Sequence, residues 1–268
     1  MIDLHNHMLP FLDDGASDWE SSIQMAHIAV DDGIRAVVCT PHWVQGCYEN
    51  SRAVILDAVE RLQKRLDERS IPLKVYPGAE LHLDFDLPQR LADGQLATLN
   101  DTGRYALIEL PVDIVPFNLK TLFWELIALN ITPILSHPER NLALTRNPMR
   151  LFHWVEMGVL TQVTGASLMG RFGPQIQKFT IDLLEHDLVH VIASDAHSPK
   201  MRAPRLASAR KEVSRLMGAS TAKELFITNP RAILSGNSIT TRPPRPLEPG
   251  RESSTIRKIF SIFGLDSR

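Results

Sequence analysis

The chain has 268 residues, of which 44% are hydrophobic and 22% charged, as in an ordinary soluble globular protein. Its formal net charge of −2 excludes a strong basic field for nucleic acid or anionic membrane, and no apolar run approaches the roughly 20 residues that span a bilayer. The amino terminus lacks the basic and apolar regions of a signal peptide, and the two cysteines, Cys39 and Cys47, make no disulfide framework. We therefore expect a cytoplasmic protein.

Short β-branched or apolar runs alternate with longer helical patterns, which predicts an α/β fold with a parallel sheet covered by helices. A single (β/α) barrel typically takes about 250 residues, so the length fits one such domain. Seven strands are predicted, at Met1–His7, Ile34–His42, Leu73–Leu81, Tyr105–Leu110, Thr132–His137, Val159–Thr164 and Leu188–Asp195.

Helical patterns fill the segments between these strands. The first helix is predicted to open with a capping box formed by Ser17 and Glu20 and to end near Gly33. The segment Ser51–Arg69 carries an apolar stripe at helical spacing. Further helices are predicted at Leu119–Leu129, Pro148–Met157, Gln175–Asp187 and Arg205–Met217, with a short one at Thr221–Phe226.

The composition changes near Gly236, which predicts a catalytic domain over residues 1–236 and a separate tail over residues 237–268. The segment Thr240–Arg251 contains four prolines and is typical of an extended linker. From residue 237 onward the chain carries six basic and three acidic side chains. The tail is interpreted either as disordered or loosely docked, or as a short basic amphipathic helix around Ile256–Phe263 that contacts a membrane or a partner.

Polar side chains recur at or just after the carboxyl ends of the predicted strands. They are His5, His7, His42, Glu80, Glu109, His137, Asp195 and His197. In a barrel of parallel strands these ends meet on one face, which is where active sites lie. We therefore expect these side chains to share one site.

The spacing of the polar residues indicates a metal site. His5 and His7 are two residues apart, so on a strand both imidazoles project to the same side. Asp195 and His197 repeat this spacing with a carboxylate first, and the Asp13-Asp14 pair adds oxygen ligands. A mixture of nitrogen and oxygen donors suits manganese, iron or zinc better than magnesium or calcium. Capping or packing alone is the less favoured explanation, because buried uncompensated charges are costly.

The other histidines and the cysteines are given simpler roles. Solvation or packing accounts for His27, His153, His186 and His190, whereas His82 is a candidate to support a metal ligand. Cys39 lies inside an apolar strand. Cys47 precedes Arg52 by five residues rather than six, which excludes the Cys-x5-Arg loop of cysteine-dependent phosphatases.

The motifs resemble those of the polymerase and histidinol phosphatase (PHP) superfamily. More narrowly, the chain is similar over residues 1–235 to the bacterial PHP-type protein-tyrosine phosphatases of capsule and exopolysaccharide clusters. The motifs that carry the resemblance are Met1-Ile2-Asp3-Leu4-His5-Asn6-His7, Asp13-Asp14-Gly15-Ala16, Thr40-Pro41-His42, Tyr48-Glu49-Asn50, Gly78-Ala79-Glu80, Ser136-His137-Pro138-Glu139-Arg140 and Ser194-Asp195-Ala196-His197. The resemblance implies a distorted seven-stranded (β/α) barrel.

The resemblance also implies three divalent metal ions, with manganese preferred and iron or zinc as alternatives. Their ligands would be His5, His7, Glu80 and Asp195 for the first ion, Glu80, Glu109 and His137 for the second, and Asp14, His42 and His197 for the third. Many PHP proteins have a histidine at the position of Asp14, and a carboxylate there is a feature of the tyrosine-phosphatase branch. Arg140 and Arg202 match positions that bind phosphate.

These roles predict a metal-dependent phosphoric monoester hydrolase, in which a metal-bound hydroxide attacks the phosphorus of phosphotyrosine without a covalent phosphoenzyme. The implied substrate is a phosphotyrosyl protein, namely a bacterial tyrosine kinase of polysaccharide export. No nucleic acid partner is expected.

Three alternatives remain open at this stage. A PHP phosphoesterase acting on histidinol phosphate would share the same metal centre. An amidohydrolase also begins with His-x-His, but it normally needs a bridging lysine where this chain has Glu109. A binding role through the segment Pro243–Pro249 belongs to a different class, and it would persist without catalysis.

Overall fold

The structure, a computed structural model, describes residues 1–247, and in these residues ten strands form two sheets. The strands are β1 (Ile2–Asn6), β2 (Ala36–Cys39), β3 (His42–Val44), β4 (Tyr48–Glu49), β5 (Lys74–Pro77), β6 (Glu80–His82), β7 (Tyr105–Glu109), β8 (Thr132–Ser136), β9 (Leu160–Thr164) and β10 (Val191–Ala193). One sheet has the order β1-β2-β5, and the other has the order β10-β9-β8-β7-β6-β3-β4. All neighbouring strands are parallel except the β3–β4 pair.

Each of the seven predicted strands contains β-structure, but the predicted second and third strands are each broken in two. The chain leaves the small sheet after Cys39 and after Pro77, and it enters the large sheet at His42 and at Glu80. Pro41 lies at the break in the second strand, where its lack of an N–H group removes one possible ladder hydrogen bond. The strands of residues 1–247 thus fall into two sheets, and the seven-stranded barrel stays a prediction.

The two sheets meet again at β1. Asn6 forms an isolated parallel bridge with Ala196, just beyond β10. The N–H of Asp195 donates to the carbonyl of His5 at 2.9 Å, and the N–H of His7 donates to the carbonyl of Ala196 at 2.8 Å. This pairing brings the His-x-His segment beside the Asp-x-His segment, although the two lie about 190 residues apart in the chain.

Helices cover the sheets. They are α1 (Trp19–Asp31), α2 (Arg52–Glu68), α3 (Leu87–Ala92), α4 (Leu119–Ala128), α5 (Leu142–Arg146), α6 (Met149–Glu156), α7 (Gly165–Leu168), α8 (Pro174–Glu185), α9 (Ala207–Met217), α10 (Ala219–Lys223) and α11 (Asn229–Leu234). A π-helical turn at Glu224–Thr228 joins α10 to α11, so the short helix predicted at Thr221–Phe226 spans two kinds of helix. Single-turn 3₁₀ helices occur at Leu99–Asp101 and Pro138–Arg140. None of the helices in residues 1–247 has the length and apolarity needed to cross a membrane.

The predicted capping box of α1 is wrong. The residue that caps the helix is Asp18, whose carboxylate accepts from the N–H of Ser21 at 2.7 Å. The hydroxyl of Ser17 instead contacts the side chains of Asp18 and Ser21. A carboxylate next to the expected cap competes for the same N–H groups, and here it is the better placed acceptor.

The first part of the predicted tail packs on the domain. The Tyr105 hydroxyl donates to the carbonyl of Asn237 at 2.7 Å, and the guanidinium of Arg242 contacts the carboxylates of Asp187 and Glu224. Leu247 is buried. The predicted amphipathic helix at Ile256–Phe263 lies outside the described residues.

Candidate metal centre

Two fully buried histidines form the floor of the site, His5 within β1 and His7 directly after it. The Nε2 atoms of His5 and His7 are 3.0 Å apart. His5 Nδ1 lies 2.8 Å from Oε1 of Gln162, and His7 Nδ1 lies 2.6 Å from Oδ2 of Asp13. Oxygen acceptors on the Nδ1 atoms keep the protons there and leave both Nε2 lone pairs directed at one point.

Glu80 lies at the centre of the cluster. Its Oε2 is 3.0 Å from His5 Nε2 and 3.3 Å from His7 Nε2. The same oxygen is 3.2 Å from His42 Nδ1, because the parallel register of β3 and β6 places His42 opposite Glu80. Its Oε1 is 2.9 Å from Nε2 of His137. Glu80 can therefore bridge two cations.

Two of the clustered residues have an unusual backbone conformation. His137 has φ of 31° and Asp195 has φ of 52°, both in the left-handed region that favours glycine. Such conformations cost on the order of 1–3 kcal/mol each and persist where the surrounding structure enforces them. They direct the two side chains into the cluster directly after β8 and β10.

The donor atoms fall into three groups in which all atoms lie within 4.8 Å of one another. The groups are His5, His7 and Glu80; His42, Glu80 and Glu109; and His7, Asp14, His42 and His197. Asp195 adjoins the first group, with Oδ1 3.5 Å from His5 Nε2, and His137 adjoins the second, with Nε2 3.5 Å from Glu109 Oε1. All nine predicted ligands thus lie together, whereas their division among individual ions stays a prediction.

Comparison with known proteins assigns the family. Residues 1–235 match the family described as capsular polysaccharide synthesis, CpsB/CapC. The chain belongs to this family. It is 40% identical over 263 residues to the tyrosine-protein phosphatase YwqE of Bacillus subtilis, and the alignment covers 98% of this chain and 100% of that protein. It is 34% identical to the tyrosine-protein phosphatase CpsB of Streptococcus pneumoniae, covering 87% of this chain and 98% of that protein.

A solved structure is also similar to this CpsB/CapC chain. A crystal structure from work on Bacillus subtilis YwqE and Streptococcus pneumoniae CpsB, described as unique metal-dependent tyrosine phosphatases, superposes with a TM-score of 0.90. The match has 41% identity and covers 92% of this chain and 100% of that chain.

Buried donor atoms in this CpsB/CapC chain fit divalent metal ions. His42 Nδ1 and Glu80 Oε2 are both buried and lack a hydrogen-bond partner, since their 3.2 Å contact is not aligned as a hydrogen bond. A buried polar atom without a partner carries a free-energy cost that a cation would remove. The set of imidazole nitrogens and carboxylate oxygens is typical of manganese, iron or zinc ligands.

The electrostatics of the centre favour added positive charge. Burial alone would raise the pKa of Glu80, but the imidazoles of His5 and His137 outweigh it and hold that pKa well below its usual range. The hydrogen bond with His197 lowers the pKa of Asp14 to about 2. Burial opposes the charged form of His7, yet its contacts with Asp13 and Glu80 raise its pKa to about 10. The carboxylates therefore stay ionised at neutral pH, where they are available to a metal ion and favour the protonated form of His7.

A cavity of about 330 Å³ opens above the metal centre. The guanidinium groups of Arg140 and Arg202 both lie 2.6 Å from Oδ2 of Asp195 and line this cavity. The Arg140 guanidinium carbon also lies 5.3 Å from the ring centroid of Phe172. Burial alone would lower the pKa of Arg140, but Asp195 and the neighbouring carboxylates raise it, so this side chain stays cationic. Both arginines face the space above the carboxylates.

The sequence did not separate the roles of Asp13 and Asp14. Asp13 is buried and holds two ligands, since it contacts His7 Nδ1 and accepts from the N–H of His42 at 2.9 Å. Asp14 is half-exposed and faces the Nε2 atoms of His42 and His197, at 3.6 and 3.5 Å. Gln162 was missed. A buried amide inside an otherwise β-branched strand was the available signal for it.

The other histidines lie at different distances from the centre. His82 Nδ1 is 3.3 Å from Glu109 Oε2, because the β6–β7 register pairs these residues. His190 is buried, and its Nδ1 accepts from the N–H of Thr161 at 3.0 Å. His186 contacts a backbone carbonyl of its own helix, and His153 contacts Glu156.

Proposed function

We propose that this chain is a metal-dependent protein-tyrosine phosphatase, a phosphoric monoester hydrolase that acts on phosphotyrosine in a bacterial tyrosine kinase and so regulates polysaccharide synthesis. One observation supports this most directly. Nine metal-ligand candidates form one cluster, and seven of them line a cavity together with two guanidinium groups, in a chain 40% identical to a protein named as a tyrosine-protein phosphatase.

Three divalent ions, manganese first among the candidates, are proposed for the ligand sets that the resemblance implied. Nine residues would hold them: His5, His7, Asp14, His42, Glu80, Glu109, His137, Asp195 and His197. When bound, such ions lower the pKa of water towards about 7 and neutralise charge on phosphoryl oxygens.

The arginines bind and orient the phosphoryl group. Arg140 and Arg202 approach Asp195 from the cavity side, so their remaining N–H groups can donate to non-bridging oxygens, where negative charge accumulates in the transition state. Asp195 fixes both guanidinium groups beforehand, which reduces the entropic cost of binding phosphate.

The leaving group and the cavity wall suit a tyrosyl ester. Leu110, Val112 and Phe172 line the cavity and offer an apolar surface for an aromatic ring. A phenol has a pKa of about 10, so its oxygen leaves with less protonation than an alkyl alcohol needs. No cysteine lines this cavity, and burial raises the pKa of Cys39, which disfavours a thiolate nucleophile.

The finer points of architecture are part of the same proposal. We infer that the two sheets together form a distorted seven-stranded barrel of the PHP type, which the Asn6–Ala196 bridge supports. Residues 1–236 would form the catalytic domain, and the protein would act in the cytoplasm. Partner or membrane contact through residues 237–268 remains a secondary proposal.

The proposed function is tested on the purified protein by measuring its metal content and its turnover of a phosphotyrosyl peptide and of histidinol phosphate. We expect bound manganese, iron or zinc and a clear preference for the peptide. In water labelled with heavy oxygen, the label should enter the released phosphate in a single turnover. A preference for histidinol phosphate, or a trapped phosphoprotein, would contradict the proposal.

A further inference from the structure

A second cavity adjoins the one above the metal centre. Its volume is about 530 Å³, and it lies between the loop that follows α7 and the segment that leads into α9. Phe172 and Arg202 line both cavities. A substrate whose phosphotyrosine occupies the first cavity therefore extends naturally into the second.

The lining of the second cavity is cationic and apolar. It includes the side chains of Arg171, Arg202 and Arg205, and no acidic residue lines it. Arg202 is engaged with Asp195, whereas within residues 1–247 the exposed Arg171 and Arg205 form no ion pair or side-chain hydrogen bond. The folded chain thus leaves two guanidinium groups available at the edge of the catalytic cavity.

The loop that carries Arg171 is held in one conformation. The Arg171 N–H donates to the carbonyl of Ala166 at 3.0 Å, and the Gly170 N–H donates to the carbonyl of Ser167 at 3.0 Å. Gly170 has φ of +75°, and a Cβ there would meet Gln177 Oε1 at 2.9 Å, so the turn requires glycine.

The opposite wall is also fixed. The N–H groups of Met201 and Arg202 donate to the hydroxyl of Ser198 at 3.1 and 3.3 Å. Directly after Arg205, the N–H groups of Leu206 and Ala207 donate to the carboxylate of Asp32 at 2.5 and 2.7 Å. These hydrogen bonds fix the backbone that carries the arginines, so only their side chains need to be ordered when a ligand binds.

We propose that the second cavity binds a carboxylate side chain of the substrate close to the phosphotyrosine, and that Arg171 and Arg205 are specificity-determining residues. An extended peptide spans about 3.3–3.6 Å per residue, so an Asp or Glu within about four residues of the phosphotyrosine can reach this cavity. The guanidinium groups match a carboxylate in charge and geometry. Met169 and Met201 also line the cavity and offer an apolar surface to neighbouring side chains of the substrate. This inference rests on the proposed phosphatase activity.

Matched phosphotyrosyl peptides test it with the metal-loaded full chain. One peptide carries Gln on both sides of the phosphotyrosine, a second has Glu before it, a third has Glu after it, and a fourth has Lys on both sides. Free phosphotyrosine serves as a substrate that cannot reach the second cavity. We expect one Glu peptide to exceed the Gln peptide in kcat/KM by about threefold to tenfold at low ionic strength, and this ratio to shrink at high salt.

The variants assign the effect to residues. The double substitution R171Q and R205Q should bring the Glu-to-Gln ratio close to one without changing turnover of free phosphotyrosine. The charge reversal R171E and R205E should favour the Lys peptide. Arg231 is the matched control, because it is exposed, lies on α11 and lines neither cavity, so R231Q should keep the wild-type ratio.

Two failures are distinguishable. Hydrolysis of all four peptides at equal kcat/KM, or an unchanged ratio in the double variant, overturns the carboxylate site while the phosphatase activity stands. No hydrolysis of any phosphotyrosyl compound contradicts the proposed function and this inference together.

Discussion

At the scale of single residues, the chemistry depends on carboxylates that bind cations and on arginines that those carboxylates fix. Asp195 contacts both Arg140 and Arg202 through one oxygen, while its other oxygen faces His5. A single side chain thus connects the two arginines that we propose to bind phosphate with the cluster of predicted ligands. Loss of either arginine should affect phosphate binding without removing the ligands.

The substitution Arg140→Ala should lower kcat/KM for phosphotyrosyl peptide about tenfold to a hundredfold, because charge-assisted hydrogen bonds contribute about 1.5–3 kcal/mol. Arg140→Lys should recover only part of this loss, since an ammonium group lacks the bidentate geometry. Steady-state kinetics and metal analysis of the same samples test this. Normal kinetics in Arg140→Ala would show that this side chain does not bind phosphate.

Asp13 should act on metal affinity through the two histidines that it holds. Asp13→Asn keeps the size of the side chain but weakens its acceptance from His7 Nδ1 and from the N–H of His42. We expect metal affinity to fall about tenfold to a hundredfold, as for other groups that orient metal ligands. Titration calorimetry with manganese measures this, and Asp31→Asn, at an exposed position in α1, is the control. Equal affinity in both variants would assign Asp13 no role.

Residue identities at this site were largely predictable from the sequence, because strand ends of a parallel sheet converge. The donors at or shortly after the ends of β1, β2, β5, β7, β8 and β10 therefore lie where their positions along the predicted strands placed them. The separate roles of Asp13 and Asp14 were not predictable, because two adjacent carboxylates on a loop look alike until the backbone turns one inward. The same holds for Arg171 and Arg205, whose shared cavity depends on two distant loops.

At the scale of elements, the sequence predicted the positions of the strands more accurately than it predicted which strands pair. Periodicity and apolar runs mark where a strand lies, but they do not show that Cys39 and His42 belong to different sheets. That break depends on Pro41 and on the close approach of Gly78 to Val38, where a Cβ on the glycine would meet Cγ1 at 2.7 Å. The short helices α3, α5, α7 and α11 were missed, because their four to six residues are too few for a periodic pattern.

The buried contact between His190, which directly precedes β10, and Thr161 of β9 makes the free energy of unfolding depend on pH. Burial lowers the pKa of His190 to about 4, whereas an unfolded histidine titrates near 6.5. The unfolded chain therefore binds more protons between these values, so the stability from neutral His190 is fully present above pH 6.5 and is lost as pH falls towards 4. The loss should reach about 3 kcal/mol.

Urea unfolding of wild type and His190→Asn across pH 4 to 7 measures this contribution. Asparagine keeps an acceptor near the Nδ1 position but does not titrate, so the variant should lose less stability on acidification. Metal-ligand histidines titrate in both proteins and cancel in the comparison. Parallel stability curves for the two proteins would contradict the assignment.

At the scale of the whole molecule, residues 237–247 pack on the domain predicted for residues 1–236. They add contacts through Asn237, Arg242 and Leu247, far in sequence from the surfaces that they cover. A proline-rich composition does not reveal such docking, because arginines that could form ion pairs also occur in linkers that do not pack on a domain.

Two truncations test whether residues 237–247 stabilise the domain. Removal of residues 237–268 should lower the melting temperature by several degrees relative to removal of residues 248–268, because burial of a leucine contributes about 1.5–3 kcal/mol. Turnover of free phosphotyrosine should be equal in the two forms, since all predicted ligands and both arginines lie before residue 236. Equal melting temperatures would mean that residues 237–247 add no stability.

We propose that nine side chains from across the chain bind several cations at one end of the strands. Anomalous diffraction from crystals of the manganese-loaded protein, recorded near the manganese absorption edge, measures this directly. We expect three peaks among the nine side chains, with Glu80 shared between two of them. A protein that hydrolyses phosphotyrosine yet shows no anomalous peak between His5, Glu80 and Asp195 would contradict it.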